Sequence, residues 1–249
     1  MNYLSILTSA GHFGFRGRIH TERRPSLLMI AGAFPLANQH QEMIDWFPAA
    51  NVVIGRLPGM HVPWSTADAK ELTEGLEEAI EFLFRDGPLV VCAGSTSALV
   101  TIPLRSKNIQ RKVILEPFFS TEGLWPFLPF VRTRMARYPD DEALRHYLWS
   151  TFGYGEKTAE NRDYRHLLDS LSVPTDVVVG GMPLQPERPL TQWPSFTSVE
   201  DRELLRANRW VNLYEGPPQA GHNLWANPSC VATVRELLKS ALHTAGMPL

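Results

Sequence analysis

The serine at position 95 follows a short apolar run, Leu89–Cys92, and lies within four consecutive small residues, Ala93–Thr96. Apolar runs of this length, rich in β-branched residues, are typical of buried strands. Small residues then permit a tight turn from a strand into a helix. Such a turn exposes the Ser95 hydroxyl at the carboxyl end of the strand, close to helix N–H groups that favour developing negative charge. A serine in this setting can attack a carbonyl group.

A histidine that could deprotonate this serine lies far along the chain, at His222. It follows Ala220 and Gly221, between the last expected strand and the C-terminal helix. A neutral imidazole accepts the proton of a hydroxyl as that hydroxyl attacks carbon. The other histidines lack a comparable setting. Ser97 is a second hydroxyl in the turn. If Ser97 were the nucleophile, the large side chain of Leu99 would stand two positions after it, where the tight turn needs a small residue, so Ser95 fits better.

Strand and helix patterns alternate along the whole chain, which predicts an α/β fold: a mostly parallel sheet covered by helices on both faces. In such sheets ligands bind beyond the carboxyl ends of the strands. The expected strands are Tyr3–Leu7, Gly17–Thr21, Ser26–Ile30, Asn51–Ile54, Leu89–Cys92, Val113–Leu115, Val173–Gly180 and Trp210–Tyr214. The expected helices are Ala37–Phe47, Ala67–Phe84, Asp140–Trp149, Ala159–Leu171, Val199–Asn208 and Val231–Ala241. A Gly-rich turn containing Gly11, Gly14 and Gly17 is expected between the first two strands.

The turn at Ala93-Gly94-Ser95-Thr96-Ser97 resembles the G-x-S-x-G nucleophile turn of the α/β-hydrolase family, with other small residues in place of both outer glycines. Further segments that resemble the family follow in its order: Ala31-Gly32-Ala33, Pro58-Gly59, Val173-Pro174-Thr175 and Gly221-His222. The resemblance spans the chain and implies the α/β-hydrolase fold. Residues 1–117 and 172–249 would form the core, and the aromatic-rich residues 118–171 would form a helical cap inserted between two strands.

The resemblance also implies an oxyanion hole made of two backbone N–H groups. One would come from Thr96, the residue after the nucleophile, and the other from Ala33, with Phe34 as the next candidate. The family typically has His-Gly-x-Pro where this chain has Ala31-Gly32-Ala33-Phe34, and loss of the histidine is tolerable because the donor is backbone. His61, at the second glycine of a Pro-Gly-x-Gly loop, is interpreted as structural or pocket-lining.

The acid that should orient His222 is where the pattern departs from the family. Relatives usually carry an aspartate after the strand that corresponds to Val177–Gly180, and this chain has Met182 there, which cannot accept a hydrogen bond as a carboxylate does. Three alternatives remain open. Glu116 ends the preceding strand, a position that some lipases of the family use; Glu187 could fold back from a Pro-rich loop; or no acid exists.

Two classes of function follow from these residues. The first is a serine hydrolase acting on small-to-medium apolar esters or thioesters, with Ser95, His222 and Glu116 as catalytic residues. The residues expected to bind substrate are Phe34, Gly94, Trp125, Phe127 and Met182. The second is a divergent protein of the same fold that no longer hydrolyses, acting as a lyase, cyclase, acyltransferase or ligand-binding protein. A purely structural subunit is a third alternative.

The composition argues against several other functions. The net charge of −2 without a basic tract argues against nucleic acid as a partner. No apolar run reaches membrane-spanning length, and the first residues do not resemble a signal peptide. The only two cysteines, Cys92 and Cys230, suggest free thiols in a reducing, cytoplasmic compartment. No metal-ligand spacing or nucleotide-binding loop is present, so neither metal nor cofactor is expected; a homodimer stays an open alternative.

Overall fold

A single eight-stranded sheet runs through the part of the chain that the structure describes. This computed structural model describes residues 2–19, 24–30, 37–58, 66–85, 87–137, 141–183 and 194–246. The strands are β1 (Asn2–Thr8), β2 (Gly11–Arg18), β3 (Ser26–Ile30), β4 (Asn51–Arg56), β5 (Leu89–Gly94), β6 (Ile109–Leu115), β7 (Thr175–Val179) and β8 (Val211–Glu215). Their order across the sheet is β1-β2-β4-β3-β5-β6-β7-β8.

Most of the sheet is parallel, as the alternation of strands and helices predicts. β2 pairs antiparallel with β1 and β4, and every pairing from β4 to β8 is parallel. The register pairs Gly94 of β5 with Leu115 of β6, and Leu115 with Val178 of β7. Residues that directly follow these three neighbouring strands therefore meet at one edge of the sheet.

Helices cover both faces of the sheet. They are α1 (Ala37–Trp46), α2 (Ala69–Leu83), α3 (Ser97–Thr101), α4 (Leu128–Arg137), α5 (Glu142–Phe152), α6 (Val199–Ala207) and α7 (Pro228–Thr244). Because side chains alternate along a strand, each strand supplies both cores. Leu28 and Ile30 belong to the core formed with α2, α3 and α6, whereas Leu27 and Met29 belong to the core formed with α1 and α7.

Two expected elements differ from the structure. The second strand begins at Gly11 rather than at Gly17, so the three glycines lie within β2 and the hairpin turns at Ser9 and Ala10. A Cβ at Gly17 would lie 2.7 Å from the Cα of Val53 in the neighbouring strand β4. The glycine therefore allows the two strands to approach closely and does not form a turn.

The second difference is the helix expected at Ala159–Leu171. Only Arg165–Ser170 is helical there, as a 3₁₀ turn, because the residues before it cross back to earlier segments of the chain. Asp163 forms a β-bridge with Ser120, and the Asn161 side chain accepts hydrogen bonds from the N–H groups of Thr121 and Glu122, both at 3.0 Å. These long-range polar contacts outweigh the local helical pattern.

The segment between β6 and β7 contains helices α4 and α5 and two 3₁₀ turns, Glu122–Phe127 and Arg165–Ser170. Its apolar side chains form a third cluster around Leu99, Phe118, Leu124, Leu128 and Tyr154, which we call the cap cluster. Leu99 belongs to α3, directly behind the turn that contains Ser95. That residues 118–171 form a separate cap unit stays a prediction. No helix in the described ranges is long and apolar enough to cross a membrane.

A fully buried lysine supports the helix behind that turn. Lys112 of β6 donates hydrogen bonds from its ammonium group to the carbonyl oxygens of Ile102, at 2.6 Å, and Leu104, at 2.9 Å, just beyond the end of α3. Burial lowers the pKa of Lys112 from 10.5 to about 8, because the charged form is poorly solvated; Glu77 opposes this shift and Arg105 adds to it.

Because the pKa of Lys112 is lowered, the stability of the folded protein is expected to depend on pH. Between the folded and unfolded pKa values of Lys112 the unfolded chain binds more protons, so the free energy of unfolding rises with pH in that window. Relative to Lys112→Met, the wild type is expected to gain about 2 kcal/mol from about pH 7 to about pH 10. Denaturant unfolding of both proteins measures this difference, and a difference that stays flat or falls with pH contradicts it.

Candidate active site

Ser95 occupies a sharp turn between β5 and α3. Its backbone has a positive φ of 55°, which is uncommon for a residue other than glycine and is typical of constrained functional turns. The Ser95 N–H donates to the carbonyl of Leu115 at 2.8 Å, and its own carbonyl accepts from the N–H of Ala98 at 3.0 Å. The turn is thus held both by the neighbouring strand β6 and by the first turn of α3.

Glu116 lies beside Ser95, as the residue that directly follows β6. It too has a positive φ, 51°, and its side chain is only 3% exposed. A buried carboxylate needs donors, and this one accepts hydrogen bonds from the backbone N–H groups of Gly180 and Phe196. Its remaining partner is the imidazole of His222, with 3.1 Å between Oε2 and Nδ1.

His222 lies in the loop between β8 and α7, with its side chain 20% exposed. One face of its ring stacks on Phe196, with ring centroids 3.8 Å apart and an interplanar angle of 21°. Because Nδ1 is directed at Glu116, the other ring nitrogen, Nε2, is the one left for proton transfer. Among the described residues the Ser95 hydroxyl makes no hydrogen bond to this ring; such catalytic hydrogen bonds often tighten only when substrate binds.

Two glycines after β7 let the loop that carries His222 pack across the strand ends. A Cβ at Gly180 would lie 2.6 Å from the carbonyl oxygen of Gly221, and one at Gly181 would lie 2.6 Å from the carbonyl carbon of Pro217. Both are impossible contacts with backbone, so only glycine permits this approach. The pair Gly180-Gly181 therefore fixes how closely the loop, and with it His222, approaches Glu116.

Met182 lies at the position where the sequence resemblance predicts the acid. Its N–H donates to the carbonyl of Ala220 at 2.9 Å, and its carbonyl accepts from the N–H of Ser195 at 2.7 Å. These bonds join the end of β7 to the loop before His222 and to the segment that contains Phe196. Met182 thus helps to assemble the site through its backbone, while the carboxylate at His222 comes from Glu116.

A tyrosine of helix α5 reaches the turn that contains Ser95. The side chain of Tyr147 is hydrogen-bonded to that of Thr96, and burial raises the pKa of the Tyr147 phenol. Thr96 itself is buried and precedes α3, so its N–H lies at the turn where the sequence predicts an oxyanion donor. Residues from the segment predicted to be the cap therefore contact the turn directly.

Two of the aromatic residues predicted to bind substrate, Trp125 and Phe127, pack around the cap cluster. Phe127 meets Phe196 edge to face with ring centroids 5.3 Å apart, which links it to His222 through the Phe196 ring. Trp125 packs against the same cluster. Among the described residues, the indole N–H of Trp125 and the hydroxyl of Tyr154 are buried without a hydrogen-bond partner. These two groups are unsatisfied polar atoms among the apolar side chains of the cap cluster.

Several predicted residues lie outside the described ranges: Ala33, Phe34, His61 and Glu187. The structure brings together Ser95, Glu116 and the ring of His222, with Thr96 and Gly94 in the same turn. The catalytic and binding roles of all these residues stay predictions. Within the described ranges no group of three or more His, Cys, Asp or Glu side chains could hold a metal ion.

Three residues at the site were not predicted from the sequence: Phe196, Tyr147 and Arg202. Phe196 contributes both a ring face to His222 and an N–H to Glu116, yet it lies in a short segment without periodicity. Arg202 left a readable signal, because it falls on the buried face of α6 with Leu205, and an arginine on the apolar side of a predicted helix needs a partner. Tyr147 was predicted only as part of an aromatic-rich segment.

No protein-family model matches the chain, and no curated protein matches it in sequence. Solved structures do match. The enol-lactonase from Burkholderia xenovorans LB400 is 14% identical with a TM-score of 0.66, covering 96% of this chain and 100% of the lactonase. An esterase from Pyrococcus furiosus is 14% identical with a TM-score of 0.69, covering 99% of this chain and 91% of the esterase.

A thermophilic esterase from Thermogutta terrifontis is 18% identical with a TM-score of 0.60, covering 97% of this chain and 99% of the esterase. Coverage of nearly the full length on both sides means that the whole arrangement of sheet and helices is shared. At these identities the likeness concerns the fold, and it confirms the predicted parallel sheet covered by helices on both faces.

Proposed function

We propose that this chain, which has the α/β-hydrolase fold, is a serine hydrolase of small-to-medium apolar esters or thioesters. The observation that carries the proposal is the hydrogen bond between Glu116 and His222 Nδ1, at the strand ends that also carry Ser95. A buried carboxylate at Nδ1 selects the tautomer whose Nε2 can take a proton, and it stabilises the imidazolium that then forms.

In this mechanism the Ser95 oxygen attacks the carbonyl carbon of the substrate while His222 Nε2 takes its proton. The negative charge that develops on the carbonyl oxygen is stabilised by the N–H of Thr96 and, in the proposal, by that of Ala33. His222 then protonates the leaving alcohol or thiol, which leaves an acyl group on Ser95. Water, deprotonated by His222, attacks this acyl group and releases the acid.

The cap cluster supports the choice of an apolar acyl group. The apolar and aromatic side chains of this cluster, Leu99, Phe118 and Tyr154 among them, pack beside the nucleophile turn, and side chains of these types bind apolar ligands. Buried donors without a partner are unfavourable, so the Trp125 indole and the Tyr154 hydroxyl suit an ester or other oxygen atom within a mostly apolar substrate.

The alternative of a protein that has lost hydrolysis rests on Met182, on Ala31 and on the small residues that replace the outer glycines of the nucleophile turn. The hydrogen bond between Glu116 and His222 weakens the first of these reasons, because His222 has an acid partner although Met182 cannot be one. Location in the cytoplasm also remains part of the proposal, on the grounds of the two cysteines, which are free and buried.

A fluorophosphonate probe tests the proposal, since it reacts covalently only with an activated serine. The folded wild type is expected to be labelled once per chain, and Ser95→Ala is expected to abolish labelling. His222→Ala should slow labelling strongly, whereas Ser97→Ala serves as the matched control and should keep it. Hydrolysis of p-nitrophenyl esters and acyl thioesters of graded chain length then defines the acyl group.

Absence of labelling and of hydrolysis in folded wild-type protein would contradict the proposal and favour the non-hydrolytic alternative. Labelling that persists in Ser95→Ala would instead place the nucleophile elsewhere. Circular dichroism of each variant separates loss of chemistry from loss of folding.

A further inference from the structure

Arg202 binds three separate segments around the candidate active site. It lies in α6 and is only 3% exposed. Its guanidinium donates from Nη2 to the carbonyl of Gly180 at 2.7 Å and from Nε to the carbonyl of Thr197 at 3.2 Å. Its third nitrogen, Nη1, donates to a carboxylate oxygen of Glu215 at 2.7 Å. The planar guanidinium thus joins the end of β7, the segment before α6 and the end of β8.

Two of these segments are the ones that hold the acid. The N–H of Gly180 and the N–H of Phe196 are the two backbone donors to the Glu116 carboxylate. Arg202 holds the carbonyl of Gly180 itself and that of Thr197, the residue after Phe196. The Gly180 N–H lies one peptide group before the Gly180 carbonyl, and the Phe196 N–H lies two peptide groups before the Thr197 carbonyl. A shift of either short segment would move a donor away from Glu116, so the position of that carboxylate depends on a side chain that does not touch it.

The guanidinium is charged and buried, so it needs an anion. Glu215 supplies it and is shared with the more exposed Arg206, which pairs with the other carboxylate oxygen. Burial alone would raise the pKa of Glu215, but hydrogen bonds from Arg202 and Arg206 outweigh burial and lower it. Arg206 therefore resembles Arg202 in charge and partner, yet within the described residues it makes no hydrogen bond to Gly180 or Thr197.

We propose that Arg202 is a positioning residue: by holding the carbonyls of Gly180 and Thr197 it fixes the two N–H groups that direct Glu116 at His222. The expected loss of kcat in Arg202 variants rests on the proposed function, whereas the expected displacement of Glu116 from the His222 ring does not. Lysine cannot replace this arginine, because a single ammonium group lacks the planar set of donors that reaches two carbonyls and a carboxylate at once.

The test compares Arg202→Met and Arg202→Lys with the matched control Arg206→Met. The first readout needs no substrate: proton NMR of the Nδ1–H of His222, a resonance assigned by its loss in Glu116→Gln. We expect this resonance to shift or disappear in both Arg202 variants and to stay in place in Arg206→Met. Thermal unfolding monitored by circular dichroism selects the variants and temperatures at which the protein is folded.

The second readout is steady-state hydrolysis of a p-nitrophenyl ester. Misplacing a catalytic group by a fraction of an ångström to about 1 Å lowers kcat by about 10- to 100-fold, so we expect a loss of that size in Arg202→Met with little change in KM. Arg202→Lys, which keeps the charge and is the safer variant for folding, should show a smaller loss in the same direction.

Folded Arg202 variants that keep both the His222 resonance and kcat would overturn this inference. If the wild type neither hydrolyses esters nor reacts with a fluorophosphonate, the proposed function fails, but the resonance still decides whether Arg202 positions the pair. An active wild type with unaffected Arg202 variants would remove this inference alone.

Discussion

Glutamine in place of Glu116 is expected to lower kcat for ester hydrolysis by about 10⁴-fold while leaving KM nearly unchanged, as in serine proteases whose triad acid is replaced by its amide. The amide has nearly the same shape but only one acceptor oxygen, and the N–H groups of Gly180 and Phe196 bind different oxygens of Glu116. With the amide NH2 group facing His222, the Gly180 N–H keeps its acceptor and the Phe196 N–H loses its own. What is lost is the negative charge at His222 Nδ1, which selects the tautomer and stabilises the imidazolium. Steady-state kinetics with a p-nitrophenyl ester measure the loss.

The control for this variant is Glu187→Gln, because Glu187 was the other carboxylate that the sequence offered. It is expected to leave kcat unchanged. A large loss in Glu187→Gln together with a small one in Glu116→Gln would assign the acid to the Pro-rich loop. Small losses in both would indicate that His222 works without an acid, and the hydrogen bond at 3.1 Å would then be structural.

Alanine in place of Gly181 is expected to reduce both stability and activity. The backbone φ of Gly181 is not positive, so the effect is steric: the new methyl group would meet the carbonyl groups of Gly216 and Pro217. Backbone cannot rotate away as a side chain can, and overpacking of this kind is expected to lower the free energy of unfolding by about 3 kcal/mol. The loop that carries His222 must shift, which should lower kcat by about 100-fold.

Denaturant unfolding and ester hydrolysis measure these two effects. Gly87→Ala is the matched control, because a Cβ there would meet only the carbonyl oxygen of Arg24, at an ordinary distance of 3.7 Å. Its free energy of unfolding and its kcat should stay close to wild type. If Gly181→Ala matches Gly87→Ala in both measurements, the close approach of the His222 loop to β7 does not hold in solution.

Most of the fold could be predicted from the sequence because the signals are local. The strand predicted at Ser26–Ile30 has the same bounds in the structure, and the helix predicted at Ala37–Phe47 ends one residue earlier, at Trp46. Apolar strands buried on both faces and a helix with one apolar side leave clear periodicities. The prediction was wrong at β2, where glycine permits a close approach of the neighbouring strand. It was also wrong before Arg165, where side-chain hydrogen bonds to distant segments outweigh the local preference for helix.

The sequence by itself determined which chemistry this protein could attempt: a serine among small residues after a buried strand, and a histidine before the last helix, each read from its immediate neighbours. Only the tertiary structure decided that Glu116 is the carboxylate at His222, since residues 116 and 222 meet through strand order and loop packing that no local pattern encodes. The same holds for the partners of Phe196 and Arg202. Phe196 contributes its ring to His222 and its N–H to Glu116. The burial of Arg202 can be read from the helical pattern, but the carbonyls that it binds come from distant segments, and these contacts exist only once the sheet has brought those segments together.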